Sequence, residues 1–231
     1  MPRQLDDGRC FAAVILDMDG LMLDTEIMEY RAWQRACADF GWEFSREQHL
    51  QLLGRNHRDA EAAMAAWWRA APASRGSLDE IRDRAAGYFR QAEITVKDGL
   101  PELLAWAGRE RVPVAVASSS SRATIASRLR GAGVGEPIRI VTGGDEVSRG
   151  KPDPEIFLLA ASRLGSDPAE CVVLEDSDSG IIGAHAAGMT PFLVPDSSVP
   201  RPIPADVLGL AYRVCPSLTD VLAVLSAAPA R

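Results

Sequence analysis

The spacing of apolar residues changes twice along the chain, and each pattern predicts a different kind of secondary structure. A short apolar run at 11–16 ends at charged residues, which predicts a buried strand. From about Glu26 to about Ile94 the apolar residues recur with helical spacing instead. The helices predicted in this stretch lie at 26–40, 45–53, 56–70 and 77–93.

After residue 99, short apolar runs alternate with helical patterns. The predicted strands are 112–117, 138–142, 171–174 and 190–194. The predicted helices are 101–110, 122–132, 153–164, 179–187 and 216–227, and a proline-rich loop is expected at 195–206. Buried strands that alternate with helices form a parallel sheet covered on both faces.

The order of these patterns predicts the fold class and the domain limits. Right-handed crossovers between the parallel strands make an α/β, doubly wound (Rossmann-like) core. The helical stretch interrupts that core after its first strand. We therefore predict an α/β catalytic core at 1–25 and 96–231, with an inserted all-helical cap domain at 26–95.

Composition and charge narrow the class of protein. Of the 231 residues, 47% are hydrophobic and 25% are charged, as in globular domains, and the net charge is −7. An acidic surface argues against nucleic acid and anionic membranes as partners, so an anionic substrate must meet locally placed positive charge. We see no apolar run as long as a membrane span, no signal-peptide pattern and no paired cysteine motif. We expect a cytoplasmic monomer.

Two aspartates follow the first predicted strand, and their spacing indicates a shared site. Side chains two positions apart on an extended chain point the same way, so Asp17 and Asp19 can face one ligand. Neighbouring carboxylates are tolerated when a divalent cation lies between them or when one carries a proton. Gly20 permits a sharp turn and a close approach of a ligand to the backbone. Alone, this short pattern is a weak signal.

Polar residues also follow the later strands, and each cluster has a structural alternative. Ser118 to Ser121 suit a phosphate, or cap a helix. Lys151 suits a phosphoryl group, or is a surface lysine before a helix. It is not part of a P-loop, because the spacing from Gly144 is one residue too long and Pro152 replaces the required hydroxyl residue.

Acidic residues end the strand at 171–174. Glu175 and Asp176 offer hard oxygen ligands that favour Mg²⁺, although Ser177 or Asp178 could instead cap a helix there. All four clusters follow strands of one predicted sheet, at the edge where α/β proteins bind ligands. Together they supply a nucleophile, an anion cradle, a cation and metal ligands.

These residues, in this order, resemble the motifs of the haloacid dehalogenase-like (HAD) hydrolase superfamily, over nearly the whole chain. The matching residues are Asp17-x-Asp19-Gly20-x-x-x-Asp24-Thr25, Ser118, Lys151 in GKPDPEIF, and Glu175-Asp176 in LEDSDSGIIGAHAAGM. The chain is most similar to the branch that contains β-phosphoglucomutase and sugar-phosphate phosphatases, including its helical cap.

The resemblance implies a role for each motif residue. Asp17 attacks phosphorus and becomes an aspartyl phosphate. Asp19 protonates the leaving oxygen and then takes a proton from the attacking water. Ser118 holds a phosphoryl oxygen, and Lys151 neutralises the phosphate and orients the nucleophile.

The resemblance also implies Mg²⁺ as the cofactor. Its ligands would be the Asp17 side chain, the Asp19 backbone carbonyl and Asp176, with Glu175 near or behind the metal. The expected substrate-binding residues are Gly20, Thr25, Ser119, Arg55 and His57.

Departures from relatives restrict the reaction. Asp19 argues against dehalogenation, because a halide leaves without a proton. The phosphonate-cleaving branch needs a cap lysine, whereas the chain's lysines are Lys97 and Lys151, outside the predicted cap helices. Glu29 stands where the mutase has a histidine, and His57 stands where it has an arginine.

The predicted function is therefore an Mg²⁺-dependent phosphatase that acts on a small phosphorylated metabolite, such as a sugar phosphate. A hexose-phosphate mutase is the alternative from the same enzyme class. A non-catalytic phospho-acceptor or binding protein is a more distant alternative, since receiver domains join similar residues around Mg²⁺ but are about half this length.

Overall fold

The computed structural model describes residues 2–52, 57–70, 76–134, 138 and 140–230, with the backbone alone at 57–60. The chain divides into two compact units. The sheet unit comprises Met1–Asp24 and Ile94–Arg231, and the helical unit is Thr25–Glu93. The sequence predicts these divisions one or two residues later, at 25/26 and 95/96.

From Val114 onward, strands and α-helices alternate in the sheet unit. The strands are Arg3–Gln4 (β1), Cys10–Phe11 (β2), Ala13–Leu16 (β3), Val114–Ser118 (β4), Ile140–Gly143 (β5), Cys171–Glu175 (β6), Thr190–Leu193 (β7) and Arg213–Val214 (β8). The helices are Thr25–Asp39 (α1), Arg46–Leu52 (α2), His57–Ala70 (α3), Leu78–Gln91 (α4), Leu100–Glu110 (α5), Arg122–Gly131 (α6), Glu155–Leu164 (α7), Asp178–Ala186 (α8), Ala205–Leu210 (α9) and Leu218–Ala227 (α10). Within the described ranges, no helix has the length and apolarity needed to cross a membrane.

Six strands form one parallel sheet in the order β5-β4-β3-β6-β7-β8. The chain builds outward from β3 in one direction through β4 and β5, and then in the other through β6, β7 and β8. This reversal beside the first strand is the topological switch of a doubly wound sheet, where ligands bind beyond the carboxyl ends. The predicted α/β, Rossmann-like fold class is confirmed.

The central strand β3 is buried on both faces, which explains its uninterrupted apolar sequence. Its side chains alternate between two cores, as the two-residue period of a strand requires. Val14 and Leu16 pack into one core, and Ala13 and Ile15 pack into the other. Helices therefore cover both faces of the sheet.

The helical unit has its own apolar core, in which α1 packs against α4. Buried members include Cys37, Trp42, Phe44 and Ile81, with Trp68 packed against them at its edge. The ring centroids of Trp42 and Trp68 lie 5.6 Å apart in an edge-to-face arrangement. Trp68 therefore contributes to packing.

Three short elements differ from the sequence-based expectation. The predicted loop at 195–206 ends earlier, because α9 begins at Ala205 behind Pro204. The β1–β2 hairpin and β8 were not predicted. Each of these strands has two residues, too few for a hydrophobic period, so only their pairing partners define them.

A partly buried ionic network lies where the chain leaves and re-enters the sheet unit. The Lys97 ammonium contacts carboxylates of Asp24 and Asp196, each at 2.5 Å. The Ser198 hydroxyl donates to Asp24 at 2.6 Å. Burial alone would lower the pKa of Lys97, but its hydrogen bonds to the two carboxylates outweigh burial and raise it. The network thereby ties the two segments that carry Asp24 and Lys97 to the loop after β7.

His49 is a buried histidine inside the aromatic core of the helical unit. Its ring lies 5.1 Å from that of Tyr30 and 6.3 Å from that of Phe44, centroid to centroid. Its Nε2 has no hydrogen-bond partner among the described residues. Burial, reinforced by the charge of Arg46, lowers the pKa of His49 from 6.5 to about 4. The folded protein therefore favours the neutral ring.

We expect His49 to make the protein less stable in mild acid. The unfolded chain takes up a proton at this side chain near pH 6.5, whereas the folded chain resists until about pH 4. Its contribution is thus complete above the unfolded pKa and falls as the pH drops towards the folded pKa. Between about pH 7 and about pH 5, the free energy of unfolding should fall by about 2 kcal/mol more in the wild type than in His49→Phe.

Urea denaturation of both proteins at the two pH values measures this difference. Carboxylates titrate in both proteins, so they cancel in the comparison. Equal pH dependence in the two would contradict the assignment.

Candidate active site

The polar residues predicted to form a site lie at the carboxyl ends of three adjacent strands. Asp17 follows β3, Ser118 ends β4 and Glu175 ends β6. The backbone N–H of Asp17 donates to the carbonyl of Leu174 at 3.0 Å, which extends the pairing of β3 and β6 to the site. Lys151 reaches the same place from the segment after β5.

The Lys151 ammonium joins these strands. Its Nζ donates to Asp17 Oδ1 at 2.5 Å, to Glu175 Oε1 at 2.6 Å and to the Ala117 carbonyl at 3.0 Å. An ammonium has three N–H donors, so β3, β4 and β6 together can satisfy it. Only 4% of the Lys151 side chain is exposed, so these contacts replace its hydration.

Asp17 and Glu175 share one buried cation, and the surroundings of Asp17 shift its pKa. Burial raises the pKa of Asp17 to about 8, because Lys151 offsets it only in part and the charges of Glu175 and Asp19 add to the rise. Burial alone would lower the pKa of Lys151, but Asp17 and Glu175 outweigh it and raise that pKa. A carboxyl with this pKa keeps its proton at neutral pH, so a positive charge in addition to Lys151 would be needed to hold Asp17 as a carboxylate.

Glu175 is held on both carboxylate oxygens. Oε1 accepts from Lys151, while Oε2 accepts from the Ser177 backbone N–H at 2.9 Å and its hydroxyl at 2.8 Å. The same hydroxyl caps α8 by accepting from Gly180 N–H at 3.0 Å. A Cβ at Gly180 would lie 1.8 Å from the Glu175 carboxyl, so glycine is required there. These contacts hold Glu175 in the position in which it pairs with Lys151.

Asp176 lies against the turn that follows β3. A Cβ at Gly20 would lie 2.5 Å from Asp176 Oδ2, and Gly20 has a φ of +85°, which favours glycine. Gly20 thus makes the predicted sharp turn, and the group that approaches its backbone is a carboxylate. The Arg201 guanidinium donates to the Asp176 carbonyl at 3.1 Å and to Oδ2 at 3.4 Å.

Asp19 has different partners from Asp17. Its Oδ2 accepts from the Ser118 hydroxyl at 3.2 Å and from the Ser120 hydroxyl at 3.0 Å. Its Oδ1 forms an ion pair with Arg128 on α6. The Asp19 side chain is 21% exposed, against 9% for Asp17, so Asp19 is the more open to solvent.

The remaining predicted residues are more scattered. Ser119 is exposed after β4, and its carbonyl packs against Gly144. Thr25 is buried at the first position of α1, in the helical unit. Arg55 lies outside the described residues. His57 begins α3, and its side chain is likewise outside what the structure describes.

Sequence reasoning missed three side chains near these carboxylates. Ser120 belongs to a serine run that already pointed to the site, although its neighbours were chosen instead. Arg128 and Arg201 carried no signal, because each lies far from any motif and only the fold brings it to an aspartate. A surface arginine and one that turns inward look alike in a sequence.

The available donors suit a hard divalent cation. Within the described ranges, no group of three or more His, Cys, Asp or Glu side chains could hold a metal by side chains alone. Mg²⁺ takes few carboxylates, accepts carbonyl oxygens and keeps several waters. The carboxylates of Asp17 and Asp176 and the carbonyl of Asp19 match that preference, and a bound cation would favour the ionised form of Asp17.

Comparison with known proteins shows one family. The family model for haloacid dehalogenase-like hydrolases matches residues 14–194. The fructose-1-phosphate phosphatase of Escherichia coli is 32% identical over 188 residues, covering 78% of this chain and 94% of that protein. The beta-phosphoglucomutase of Bacillus subtilis is 28% identical over 183 residues, covering 77% and 80%.

A solved structure shows the same fold over almost the whole chain. It is a HAD family hydrolase from Deinococcus radiodurans with bound phosphate and sodium. The TM-score is 0.78 at 31% identity, and the match covers 94% of this chain and 96% of the other.

We expect the Lys151 contacts to govern stability as well as chemistry. Lys151→Met leaves the buried Glu175 without its cation, and at neutral pH the free energy of unfolding should fall by about 3 kcal/mol. Adding Glu175→Gln removes the unpaired charge, so the double variant should lose less than the sum of the two single variants. Chemical denaturation of all four proteins measures this coupling.

Asp206 offers a matched control, because it is an acidic residue that is exposed, on α9. Asp206→Asn combined with Lys151→Met should be additive. Strict additivity of the Lys151 and Glu175 changes would contradict the pairing.

Proposed function

The chain belongs to the haloacid dehalogenase-like hydrolases, and we propose that it is an Mg²⁺-dependent phosphatase of small phosphorylated metabolites. The chain is thus a hydrolase, as the sequence predicts. The proposal adds the covalent route through Asp17, the metal and the substrate class. Sugar phosphates are the substrates we favour.

The observation that carries the proposal is the Asp17 carboxylate held by Lys151 at the topological switch of the sheet. A carboxylate attacks a phosphate dianion only when nearby positive charge offsets their repulsion. Lys151 supplies such charge at 2.5 Å from Asp17 Oδ1. The Ser118 hydroxyl, at the end of the neighbouring strand, can donate to a phosphoryl oxygen.

The first step transfers the phosphoryl group to the protein. The Asp17 carboxylate attacks phosphorus, a P–O bond to Asp17 forms, and the P–O bond to the leaving alcohol breaks. The alcohol oxygen takes a proton from Asp19, whose side chain is the more exposed of the two aspartates. The product is an aspartyl phosphate at Asp17 and a free alcohol.

The second step restores the enzyme. Water attacks phosphorus and gives a proton to Asp19, the bond between Asp17 and phosphorus breaks, and inorganic phosphate leaves. Asp19 thereby recovers the proton that it donated. The two aspartates have separate partners, which suits their separate tasks: Lys151 orients Asp17, and Ser118, Ser120 and Arg128 surround Asp19.

We assign Asp17, the carbonyl of Asp19 and Asp176 as the Mg²⁺ ligands, with Glu175 acting through Lys151 rather than on the metal. When bound, Mg²⁺ neutralises charge on the transferring phosphoryl group. In this proposal Gly20 gives Asp176 room to reach the site. The further candidate substrate contacts are Thr25, Ser119, Arg55 and His57.

The substrate class rests on the relatives. The Escherichia coli relative is named for fructose 1-phosphate, a phosphorylated sugar. The Bacillus subtilis relative is a mutase, so mutase activity is the second candidate. Glu29, on α1, stands where the mutase pattern has a histidine, and this difference favours the phosphatase.

We expect Mg²⁺-dependent release of phosphate that requires Asp17. The panel comprises hexose and pentose phosphates, phosphoglycolate and nucleotides, with and without Mg²⁺. Asp17→Asn keeps the shape of the side chain but removes the nucleophile, so kcat should fall at least about 10³-fold. Asp206→Asn, which changes an exposed aspartate on α9, should retain wild-type activity.

Full activity of Asp17→Asn would contradict the covalent route through Asp17. Activity that is unaffected by chelation of Mg²⁺ would contradict the metal dependence. Interconversion of β-glucose 1-phosphate and glucose 6-phosphate with a bisphosphate activator, without phosphate release, would establish the mutase instead.

A further inference from the structure

Asp19 is held from two sides by the last residue of β4 and by residues of the segment that follows this strand. We propose that Arg128 is a positioning residue that fixes the orientation of the Asp19 carboxylate for proton transfer to the leaving oxygen. This inference rests on the proposed function, because it concerns the step in which Asp19 acts. Arg128 belongs to none of the motifs that identify the family.

The contacts divide between the two carboxylate oxygens. Ser118 and Ser120 donate to Oδ2, at 3.2 and 3.0 Å, and Arg128 is ion-paired with Oδ1. Two hydroxyls on one oxygen allow the carboxylate to pivot about that oxygen. Arg128 Nη1 on the other oxygen restrains this rotation, because the carboxylate is then held at both of its oxygens. Arg128 therefore sets the plane of the carboxylate.

Arg128 is itself held in place. It lies on α6, whose first turn is capped by the Ser121 hydroxyl through Thr124 N–H at 3.2 Å. Its side chain is 19% exposed, and its Nη1 lies 3.4 Å from the Ser120 hydroxyl. The serine run and α6 both follow the end of β4, so one short stretch of the chain supplies the contacts to both carboxylate oxygens of Asp19.

This role predicts a dependence on the leaving group. A sugar alkoxide is a poor leaving group and needs a well-aimed proton, whereas p-nitrophenolate leaves without one. A misplaced acid should therefore slow cleavage of the sugar phosphate more than cleavage of p-nitrophenyl phosphate. A general loss of folding or of phosphate binding would slow both alike. The ratio of kcat/KM for the two esters separates these causes.

The experiment compares Arg128→Gln, Arg128→Lys and Arg130→Gln in the full chain with saturating Mg²⁺. Arg130 is the matched control, because it is exposed on the same helix. The substrates are p-nitrophenyl phosphate and the sugar phosphate that the wild type hydrolyses fastest in the panel above.

We expect Arg128→Gln to lower kcat/KM for the sugar phosphate about tenfold or more, and for p-nitrophenyl phosphate by less than about threefold. Arg128→Lys keeps the charge but loses the planar group of donors, so its ratio should be intermediate. Arg130→Gln should match the wild type on both esters.

An equal loss on both esters, no loss, or a faster reaction with the sugar phosphate would overturn the positioning role. If the Gln variant does not fold, a wild-type ratio in Arg128→Lys overturns it equally. A wild type that hydrolyses neither ester would refute the proposed phosphatase itself, which is a different outcome from an unchanged ratio in an active enzyme.

Discussion

One buried ammonium group, Lys151 Nζ, holds the functional end of this molecule together. Its three hydrogen bonds run to Asp17, to the Ala117 carbonyl and to Glu175, which lie at the ends of three neighbouring strands. A buried charge is tolerated only when it is fully paired, so any strand that shifted would leave an unsatisfied group. The sheet thereby orients the candidate nucleophile, and the lysine in turn fixes the edge of the sheet.

The space around this ion pair explains residues that take no part in chemistry. Gly180 leaves room for the Glu175 carboxyl, and Gly20 leaves room for that of Asp176. In both places the carboxylate occupies the volume that a methyl group would need. The Ser177 hydroxyl has two structural roles, because it donates to Glu175 and also caps α8. The residues of the family motif therefore serve packing as well as chemistry.

The pair of aspartates shows how one short motif acquires two functions. Asp17 meets a buried lysine and a second carboxylate, whereas Asp19 meets hydroxyls and an arginine at a more open position. Their environments differ because Asp17 continues the pairing of β3 with β6, whereas Asp19, two residues later, lies beside the serines at the end of β4. A phosphoryl transfer through a covalent intermediate needs such a division, since one carboxylate bonds phosphorus while the other handles protons.

The sequence by itself determined the strands of the central sheet apart from β8, their alternation with helices, and the residues that follow each strand. Those features are local: β3 has an unbroken apolar run because both its faces are buried, and the carboxyl ends of parallel strands must meet at one edge. Sequence alone did not predict β1, β2 and β8, which have two residues each and exist only through their partners. It also could not select Ser120 over Ser119, or reveal that Arg128 and Arg201 face aspartates distant in the chain. Such contacts depend on the direction in which a helix or loop returns to the sheet, and no local period encodes that direction; only the tertiary structure decided them.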